Sequence, residues 1–147
     1  MKIQDVLGRL QQEFPKEISS AQVLRTGSGK IVIPREGLVR ICRRLKDEMA
    51  FDHLSLVSAV DWKDHWESVY HLVNYADGLV LQINARIPRE DPRIDSLCAL
   101  WKAANYPERE AYDMMGIVYA GHPDLRRILM PKDFEYFPLR KDYVGYK

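Results

Sequence analysis

Three carboxylates, Glu108, Glu110 and Asp113, lie close together in one short stretch of the chain. Two carboxyl groups can act as general acid and general base when burial away from cations raises the pKa of one of them. Arg109 lies between these acids, and two further arginines follow at positions 126 and 127. The pattern therefore favours a structural network of ion pairs over a catalytic pair.

A second stretch, from residue 61 to residue 67, combines acids with a histidine in the order Asp-Trp-Lys-Asp-His-Trp-Glu. These residue types can bind a metal ion. However, the stretch joins two predicted antiparallel strands, and no second cluster converges on it. We therefore predict a hairpin loop that carries two partly exposed tryptophans, Trp62 and Trp66.

The sequence lacks the other common signatures of an enzyme. Its four histidines show no metal-ligand spacing, and neither a Gly-x-Ser-x-Gly elbow nor a dinucleotide fingerprint occurs. The glycines between Thr26 and Lys30 match only half of a phosphate loop, so a hairpin turn is predicted there. Cys42 and Cys98 each lie on an apolar helical stripe, which predicts small core residues. No Cys-x-x-Cys occurs, which argues against an iron–sulfur cluster or a structural zinc.

The size and charge of the chain exclude several classes of protein. Its 147 residues suggest one domain. Its 22 basic and 21 acidic residues give a net charge of +1, so no field attracts nucleic acid or an anionic membrane. No apolar run approaches the length of a membrane span, and the amino terminus lacks the apolar core of a signal peptide. We expect a soluble, intracellular chain.

The hydrophobic periodicity predicts three helices and five strands ahead of the acidic stretch. The helices cover residues 3–14, a stretch that starts at residue 34, and a stretch around residues 97–104. The strands cover residues 21–25, 30–33, 53–60, 69–76 and 79–87. Asp77-Gly78 is predicted to be a two-residue hairpin turn, which would pair Ala76 with Leu79 and Leu72 with Ile83.

The acidic stretch itself is predicted to be a short helix. Pro107 suits a first helical turn, and Gly116 suits the left-handed stop that follows a last turn. Arg109 and Asp113 are four residues apart and are expected to pair along one face. Two turns of helix are not stable alone in water, so packing must hold this one.

The last part of the chain, residues 121–147, shows no sustained period of 2 or 3.6. It contains three prolines and five aromatic residues, which are Phe134, Tyr136, Phe137, Tyr143 and Tyr146. Such a stretch is too aromatic for a solvated tail and too long for an ordinary loop. We therefore predict an α+β fold in two layers, with helices packed on a mostly antiparallel or mixed five-stranded sheet. Residues 1–120 form its compact domain, and residues 121–147 form an extended arm that binds a partner.

The sequence from the short helix onward resembles a known family signature. Its motifs are Glu108-Arg109-Glu110, Tyr112-Asp113-Met114-Met115-Gly116-Ile117, Gly121-His122-Pro123, Leu125-Arg126-Arg127-Ile128-Leu129 and Pro138-Leu139-Arg140-Lys141-Asp142-Tyr143. In this order and spacing they resemble the small hydrophilic subunit of respiratory complex I, known as the 30 kDa subunit in mitochondria and present in bacterial and plastid versions. The resemblance covers roughly the last third of the chain.

The resemblance implies a structural role inside a larger enzyme, a proton-translocating NADH:quinone oxidoreductase. By resemblance, this chain holds no redox cofactor, and FMN or FAD, iron–sulfur clusters and quinone belong to the parent complex. Its partners would be the quinone-site subunit, which is similar to a hydrogenase large subunit, and an iron–sulfur subunit. The chain would then be a peripheral membrane protein on the cytoplasmic or stromal side, held there through its complex.

Within the signature, we predict that the charged residues Glu108, Arg109, Glu110 and Asp113 lock the short helix to the loop that follows it. The Gly-His-Pro motif at residues 121–123 is expected to turn the chain. Residues 126–143 would then extend along the partner, with aromatic and arginine anchors at the interface.

Three alternatives stay open. The chain also resembles the equivalent subunits of membrane-bound complexes fed by reduced deazaflavin, ferredoxin or hydrogen. The run from Phe134 to Phe137 stands where many relatives have a glycine shortly before the Pro-Leu-Arg-Lys-Asp motif, and the electron donor stays open. A small stand-alone hydrolase using Glu108, Glu110 and Asp113 with His122 is an alternative of another class, against which the aromatic arm argues. A free-standing protein-interaction adaptor is the third.

Overall fold

The computed structural model describes residues 1–143 of the chain. Its helices are α1 (Ile3–Glu13), α2 (Leu38–Met49) and α3 (Asn105–Met115). Its strands are β1 (Ser20–Arg25), β2 (Ser28–Pro34), β3 (His53–Asp61), β4 (His65–Asn74), β5 (Leu79–Pro88), β6 (Arg93–Asp95) and β7 (Val118–Ala120). Short 3-10 turns, Arg35–Gly37 and Lys102–Ala104, precede α2 and α3. None of the helices within residues 1–143 is long and apolar enough to cross a membrane.

The centre of the fold is a five-stranded sheet in the order β1-β2-β5-β4-β3. β2 and β5 run parallel, and the other neighbouring strands run antiparallel. β6 and β7 form a separate two-stranded parallel sheet, which the sequence did not predict. The predicted two-layer α+β class with a mixed five-stranded sheet is confirmed.

The helices pack on one face of this sheet. α1 buries Ile3, Val6, Leu7 and Leu10, which recur at the spacing of one helical face. α2 buries the apolar side chains Leu38, Ile41, Cys42, Leu45 and Met49. These two stripes meet a sheet face made of alternate strand residues, because successive side chains of a strand point to opposite faces. The predicted helical stripes are therefore the ones that form the core.

The hairpin between β4 and β5 has a different register from the predicted one. Asn74 pairs with Leu79 and Leu72 pairs with Leu81, so the loop covers residues 75–78. The side chain of Asn74 explains the longer loop. Its oxygen accepts a hydrogen bond from the N–H of Asp77 at 3.0 Å, and its amide donates to the carbonyl of Met49 at 2.9 Å. The predicted register is wrong by two residues, which keeps each side chain on its predicted face.

The third helix predicted around residues 97–104 is wrong. This segment is a series of turns, in which the N–H of Trp101 donates to the carbonyl of Leu97 at 2.9 Å. Both of those side chains are buried, as their apolar spacing predicted. Cys98 lies in a turn and is only partly buried, whereas Cys42 is fully buried on α2. The apolar spacing of this segment therefore reflects tight turns that face the core.

The stretch from residue 61 to residue 67 is a hairpin as predicted, but β4 already begins at His65. Trp62 is 51% exposed, whereas Trp66 is 1% exposed. The prediction that both tryptophans are partly exposed is thus wrong for Trp66. Trp66 alternates with Tyr70 and Leu72 on the core face of β4, and this period of two was the signal that could have predicted its burial.

Candidate functional site: the anchored carboxyl-terminal arm

Most of the candidate residues are positioned by α3 and by the segment that follows it. α3 begins at Asn105, and Pro107 lies in its first turn, where a missing N–H costs no hydrogen bond. Gly116 follows the last turn in the left-handed region, with a φ of +78°. The predicted helix start and stop are thus confirmed to within about two residues, the usual uncertainty of a helix boundary.

Glu108 is fully buried in the first part of α3. One carboxylate oxygen accepts a hydrogen bond from the N–H of Leu97 at 2.8 Å, and the other accepts one from the hydroxyl of Ser96 at 2.6 Å. Burial raises the pKa of Glu108, and these donors oppose the rise. Glu108 makes no salt bridge with an arginine within residues 1–143. It therefore fastens the turn before α3, and the prediction that it locks the following loop through ion pairs is wrong.

Glu108 also lies beside Cys98 and His122, a cluster that sequence spacing did not predict. The ligand atoms of the three side chains lie within 4.8 Å of one another. Both ring nitrogens of His122 are engaged, however. Nδ1 accepts from the N–H of Asp124 at 2.9 Å, so Nε2 carries the proton and donates to the carbonyl of Asn105 at 2.9 Å. Burial raises the pKa of Cys98 to about 11. A metal ion would have to break one histidine bond and displace the thiol proton, so the contacts describe a hydrogen-bonded network.

Asp113 is the second fully buried acid of α3, and it binds the segment that follows the helix. Its Oδ2 accepts hydrogen bonds from three successive backbone N–H groups, those of Ile128, Leu129 and Met130, at 3.2, 2.6 and 3.0 Å. Its Oδ1 accepts from the guanidinium of Arg127 at 2.9 Å. The predicted pairing of Asp113 with Arg109 is therefore wrong, because Asp113 faces the arm.

These contacts keep Asp113 ionised. Burial alone would raise the pKa of this carboxyl group, but the three backbone donors and Arg127 outweigh burial and hold the pKa below its usual value. Both carboxylate oxygens are already occupied by donors. Asp113 is thus suited to hold the backbone in place and poorly suited to transfer a proton.

The other side chains of α3 are divided between the arm and solvent. Arg109 donates from Nε to the carbonyl of Arg126 at 3.3 Å, so this part of the predicted lock is present. Tyr112 meets the ring of Phe137 edge-on, with 6.2 Å between the ring centres. Glu110 is exposed and makes no ion pair within the part of the chain that the structure describes. The three carboxylates of α3 therefore do not converge on one site.

Arginines and aromatic rings of the arm alternate in a single stack. The guanidinium carbon of Arg140 lies 4.9 Å from the ring centre of Trp66 and 4.6 Å from that of Phe137. The guanidinium carbon of Arg127 lies 4.8 Å from Phe137 and 5.6 Å from Phe134. Since Trp66 belongs to β4, these cation–π contacts attach the arm to the main sheet.

Gly116 is needed for this stack as well as for the end of α3. A Cβ atom at Gly116 would lie 2.8 Å from the ring of Phe137 and would also meet the side chain of Arg140. Arg140 donates from Nε to the carbonyl of Met115 at 2.7 Å. The N–H of Leu139 donates to the carbonyl of Met114 at 3.0 Å. The Pro-Leu-Arg-Lys-Asp motif, whose Pro138 is half-buried, therefore closes over the carboxyl end of α3.

Asp61, at the end of β3, is a second buried carboxylate that holds the arm. Its Oδ2 accepts a hydrogen bond from the N–H of Lys141 at 2.9 Å. Its Oδ1 accepts from the N–H of Lys63 at 2.8 Å and pairs with Arg89, which lies 3.6 Å from Asp142. Burial would raise the pKa of Asp61, but these donors outweigh burial and lower it. The sequence offered Asp61 only as a possible metal ligand and gave no signal for this role.

The turn that leads into the arm follows the prediction. Gly121 has a φ of +84°, and the N–H of His122 donates to the carbonyl of Tyr119 at 3.2 Å. Pro123 and Arg126 are exposed beyond this turn. The left-handed glycine thus reverses the chain after β7 and directs it back toward α3.

Up to residue 143, the arm lies on the chain's own body. Asp113, Trp66 and Asp61 hold it at successive points. The apolar side chains that stay at least half exposed are Leu129, Tyr136 and Leu139, at 55%, 50% and 57%. The extension of the arm along a partner stays a prediction, as does the division of the chain at residue 120. Tyr146 lies outside the described residues.

Comparison with known proteins identifies the family of this anchored arm and its sheet. The profile of the family described as respiratory-chain NADH dehydrogenase, 30 Kd subunit, matches residues 31–147. The chain belongs to this family. The resemblance that its motifs indicated is thereby confirmed.

Individual known proteins are similar to most of the chain. It is 36% identical over 149 aligned residues to the C subunit of the F(420)H(2) dehydrogenase of Methanosarcina mazei, covering 99% of this chain and 94% of that protein. It is 42% identical over 115 residues to the C subunit of the NADH-quinone oxidoreductase of Moorella thermoacetica, covering 77% and 78%. It also resembles a solved chain of the membrane-bound sulfane sulfur reductase, an archaeal respiratory membrane complex, with a TM-score of 0.83, 25% identity, and coverage of 96% of this chain and 85% of that chain.

Proposed function

We propose that this chain is a structural subunit, without redox chemistry of its own, in the peripheral arm of a complex I-type NAD(P)H:quinone oxidoreductase that translocates protons. One observation carries the proposal: of the four buried carboxylates within residues 1–143, three hold backbone N–H groups, and the fourth, Glu67, accepts from the side chains of Trp62 and Asn84. Glu108 binds the turn before α3, and Asp113 and Asp61 bind the arm. Membership of the 30 Kd subunit family indicates which enzyme such a structural subunit would belong to.

The partners follow from this role. The arm and the surface beside it would bind the quinone-site subunit, which is similar to a hydrogenase large subunit, and an iron–sulfur subunit of the same complex. FMN or FAD, iron–sulfur clusters and quinone would be held by those and other subunits. The chain would lie on the cytoplasmic or stromal side of an energy-transducing membrane and would be attached to it through the complex. Its contribution to quinone reduction is then the assembly and shape of the module.

A second candidate differs in the electron donor. The match to the F(420)H(2) dehydrogenase protein runs along nearly the full length of both chains. This supports the alternative of an equivalent subunit in a membrane-bound complex fed by reduced deazaflavin, ferredoxin or hydrogen. Co-purification of a flavin-binding NADH-oxidising subunit favours the first candidate, and recovery of a different input module favours the second.

The geometry gives no support to a stand-alone hydrolase. Glu108 does lie near His122, but His122 uses both ring nitrogens in hydrogen bonds to backbone. Asp113 is occupied by the arm, and Glu110 is exposed elsewhere on α3. No pair of these acids with the histidine therefore forms an acid–base site.

Chromosomal replacement tests the structural role. Asp113→Asn weakens the anchor of the arm, so we expect the amount of assembled complex on native gels and the quinone reductase activity of the membranes to fall in parallel. Asp124→Asn is the matched control, because its carboxylate makes an exposed pair with Arg126. A variant that assembles fully and yet loses turnover contradicts the proposal, since it would place chemistry in this chain.

A further inference from the structure

The arm uses Arg127, Arg140 and the rings of Phe134 and Phe137 inside the chain, so a partner must also contact other side chains. One groove gathers such side chains between β3, α3 and the arm. β3 contributes Leu56 and Ala59, α3 contributes Glu110 and Met114, and the arm contributes Leu139. Leu56 is 43% exposed and Leu139 is 57% exposed. The groove therefore joins exposed apolar surface of the sheet and of the arm.

The size of the groove separates two kinds of occupant. Its volume is about 210 Å³. Sites for cofactors and drug-sized molecules usually measure roughly 300–1,000 Å³ and bury most of their ligand. A groove of this size holds one or two large side chains of a protein segment and is too small for a flavin.

The strand beside the groove is suited to an extended segment. β3 is an outer strand of the five-stranded sheet, and within residues 1–143 it pairs only with β4. An outer strand presents backbone N–H and C=O groups along its free edge, and extended peptides bind such edges through main-chain hydrogen bonds. Residues 56–59 of β3 line the groove, so a segment added there would place alternate side chains in it.

The charge at the groove indicates which side chains the segment carries. Glu110 is the only charged residue of its lining within residues 1–143. It is exposed and makes no ion pair in the described part of the chain, whereas the neighbouring Arg109 is directed to the carbonyl of Arg126. A carboxylate at the rim of an apolar groove attracts a cation and disfavours an acid.

We propose that this groove binds an extended segment of a partner subunit, with apolar side chains in the groove and a lysine or arginine paired with Glu110. The inference rests on the proposed function and specifies which surface of this chain the partner contacts. The arm has an indirect part in it, because its anchors at Asp113 and Asp61 place Leu139 in the wall of the groove.

Site-specific photocrosslinking in the native complex tests the occupant. The photoreactive residue p-benzoylphenylalanine replaces Leu56, and in a matched control it replaces Leu24, which is 48% exposed on β1 at the opposite edge of the sheet. Crosslinked peptides are identified by mass spectrometry after gentle solubilisation. We expect the probe at 56 to label one segment of one partner subunit that combines apolar residues with a lysine or arginine, and the probe at 24 not to label that segment. Crosslinks only within the chain, or to an acidic or purely polar segment, overturn the inference.

Charge reversal tests the ion pair. Glu110→Lys is expected to lower the amount of that partner retained by the tagged chain about tenfold, which corresponds to roughly 1.4 kcal/mol. Glu90→Lys makes the same charge reversal at an exposed site outside the groove. A tagged chain with this change is expected to retain the partner subunit fully. Full retention by Glu110→Lys overturns the proposed pair.

The tagged wild-type chain separates failure of the inference from failure of the proposed function. If it recovers its partner subunits while the probe at 56 labels none of them, only the groove is wrong. If it recovers no partner subunit at all, the structural role itself is contradicted.

Discussion

Replacing Asp113 by asparagine perturbs the anchor of the arm with almost no change in volume. The aspartate is fully buried, and its two oxygens accept from Arg127 and from three successive backbone N–H groups at residues 128–130. Asparagine keeps one acceptor oxygen and replaces the other by an NH₂ group, which only donates. Either Arg127 or the backbone donors must then face another donor.

The loss of stability can be worked out from these contacts. A hydrogen bond to a charged group contributes about 1.5–3 kcal/mol, and removal of one member of a buried ion pair costs about 3–5 kcal/mol. The sum over all the hydrogen bonds of Asp113 would be larger than the second range, but the remaining oxygen of asparagine keeps part of this bonding. We therefore take the second range as the loss in the free energy of unfolding. A domain of this size changes its Tm by about 2–4 °C per kcal/mol, so the expected fall in Tm is about 6–20 °C.

Thermal unfolding and hydrogen exchange of the purified chain measure this effect. Asp113→Asn should lower Tm by that amount, and the amides of residues 128–130 should lose the most protection. Asp124→Asn removes an exposed pair with Arg126 and should change the free energy of unfolding by less than about 1 kcal/mol. A Tm of Asp113→Asn within about 2 °C of wild type, or protection lost evenly over the chain, would refute the reasoning, since the loss of a buried pair is neither that small nor that diffuse.

Three further predictions concern the same anchors. Gly116→Ala combines a φ of +78° with a clash against the arm, whereas Gly78→Ala has a φ of +67° and open space around the new Cβ. In each variant, the strained backbone should lower the free energy of unfolding by about 1–2 kcal/mol. A denaturant titration should show a further loss only in Gly116→Ala, because only there does the new Cβ meet the arm. Asp61 and Asp113 have lowered pKa values, so their stabilisation is present above the unfolded-state pKa of about 3.9 and is lost as the pH falls through the folded-state values. Tm should therefore fall steeply below about pH 4 in wild type and less steeply in Asp113→Asn, and parallel curves would contradict this. Arg140→Lys keeps the charge but loses the planar group between two rings, so it should increase exchange at residues 137–141 and leave β2 unchanged. Equal exchange in both regions would contradict the stack.

The parts of the fold that follow from local patterns could be predicted from the sequence. The stripes of α1 and α2 have helical periods, and Pro107 and Gly116 mark the two ends of α3. The alternating residues of β5 defined a sheet face even though the register was wrong. Each of these features depends on residues close together in sequence.

The parts that could not be predicted depend on single side chains that reach distant backbone. Asn74 closes a longer hairpin loop by binding Asp77, and its amide also reaches the carbonyl of Met49, twenty-five residues earlier, which no local turn rule includes. Glu108 stabilises the turns at residues 96–98, where an apolar spacing of helical type had indicated a helix. Asp113 had a helical neighbour of opposite charge available, yet it bonds to backbone fifteen to seventeen residues later. Pair rules for isolated helices miss such contacts because burial changes which partner is most favourable.

The same limit applies to the candidate site. The motifs indicated the correct family. The aromatic and arginine anchors of the arm were expected to contact a partner, whereas Arg127 and Arg140 contact the chain's own rings and backbone within residues 1–143. The sequence could not indicate that two residues far from the signature hold the arm. Arg140 packs on the ring of Trp66, and the N–H of Lys141 donates to Asp61. These contacts use Arg140 and Lys141 within the chain and leave Leu139 exposed in the wall of the groove that we propose as the partner's site.

The central claim is that this chain functions as a structural subunit of a complex I-type enzyme. The most direct measurement is an affinity purification of the tagged chain from gently solubilised native membranes, with identification of the co-purifying proteins by mass spectrometry. We expect recovery of the iron–sulfur and quinone-site subunits in stoichiometric amounts, together with the input module that names the electron donor. Recovery of the chain alone, as a monomer without respiratory subunits, would contradict the claim.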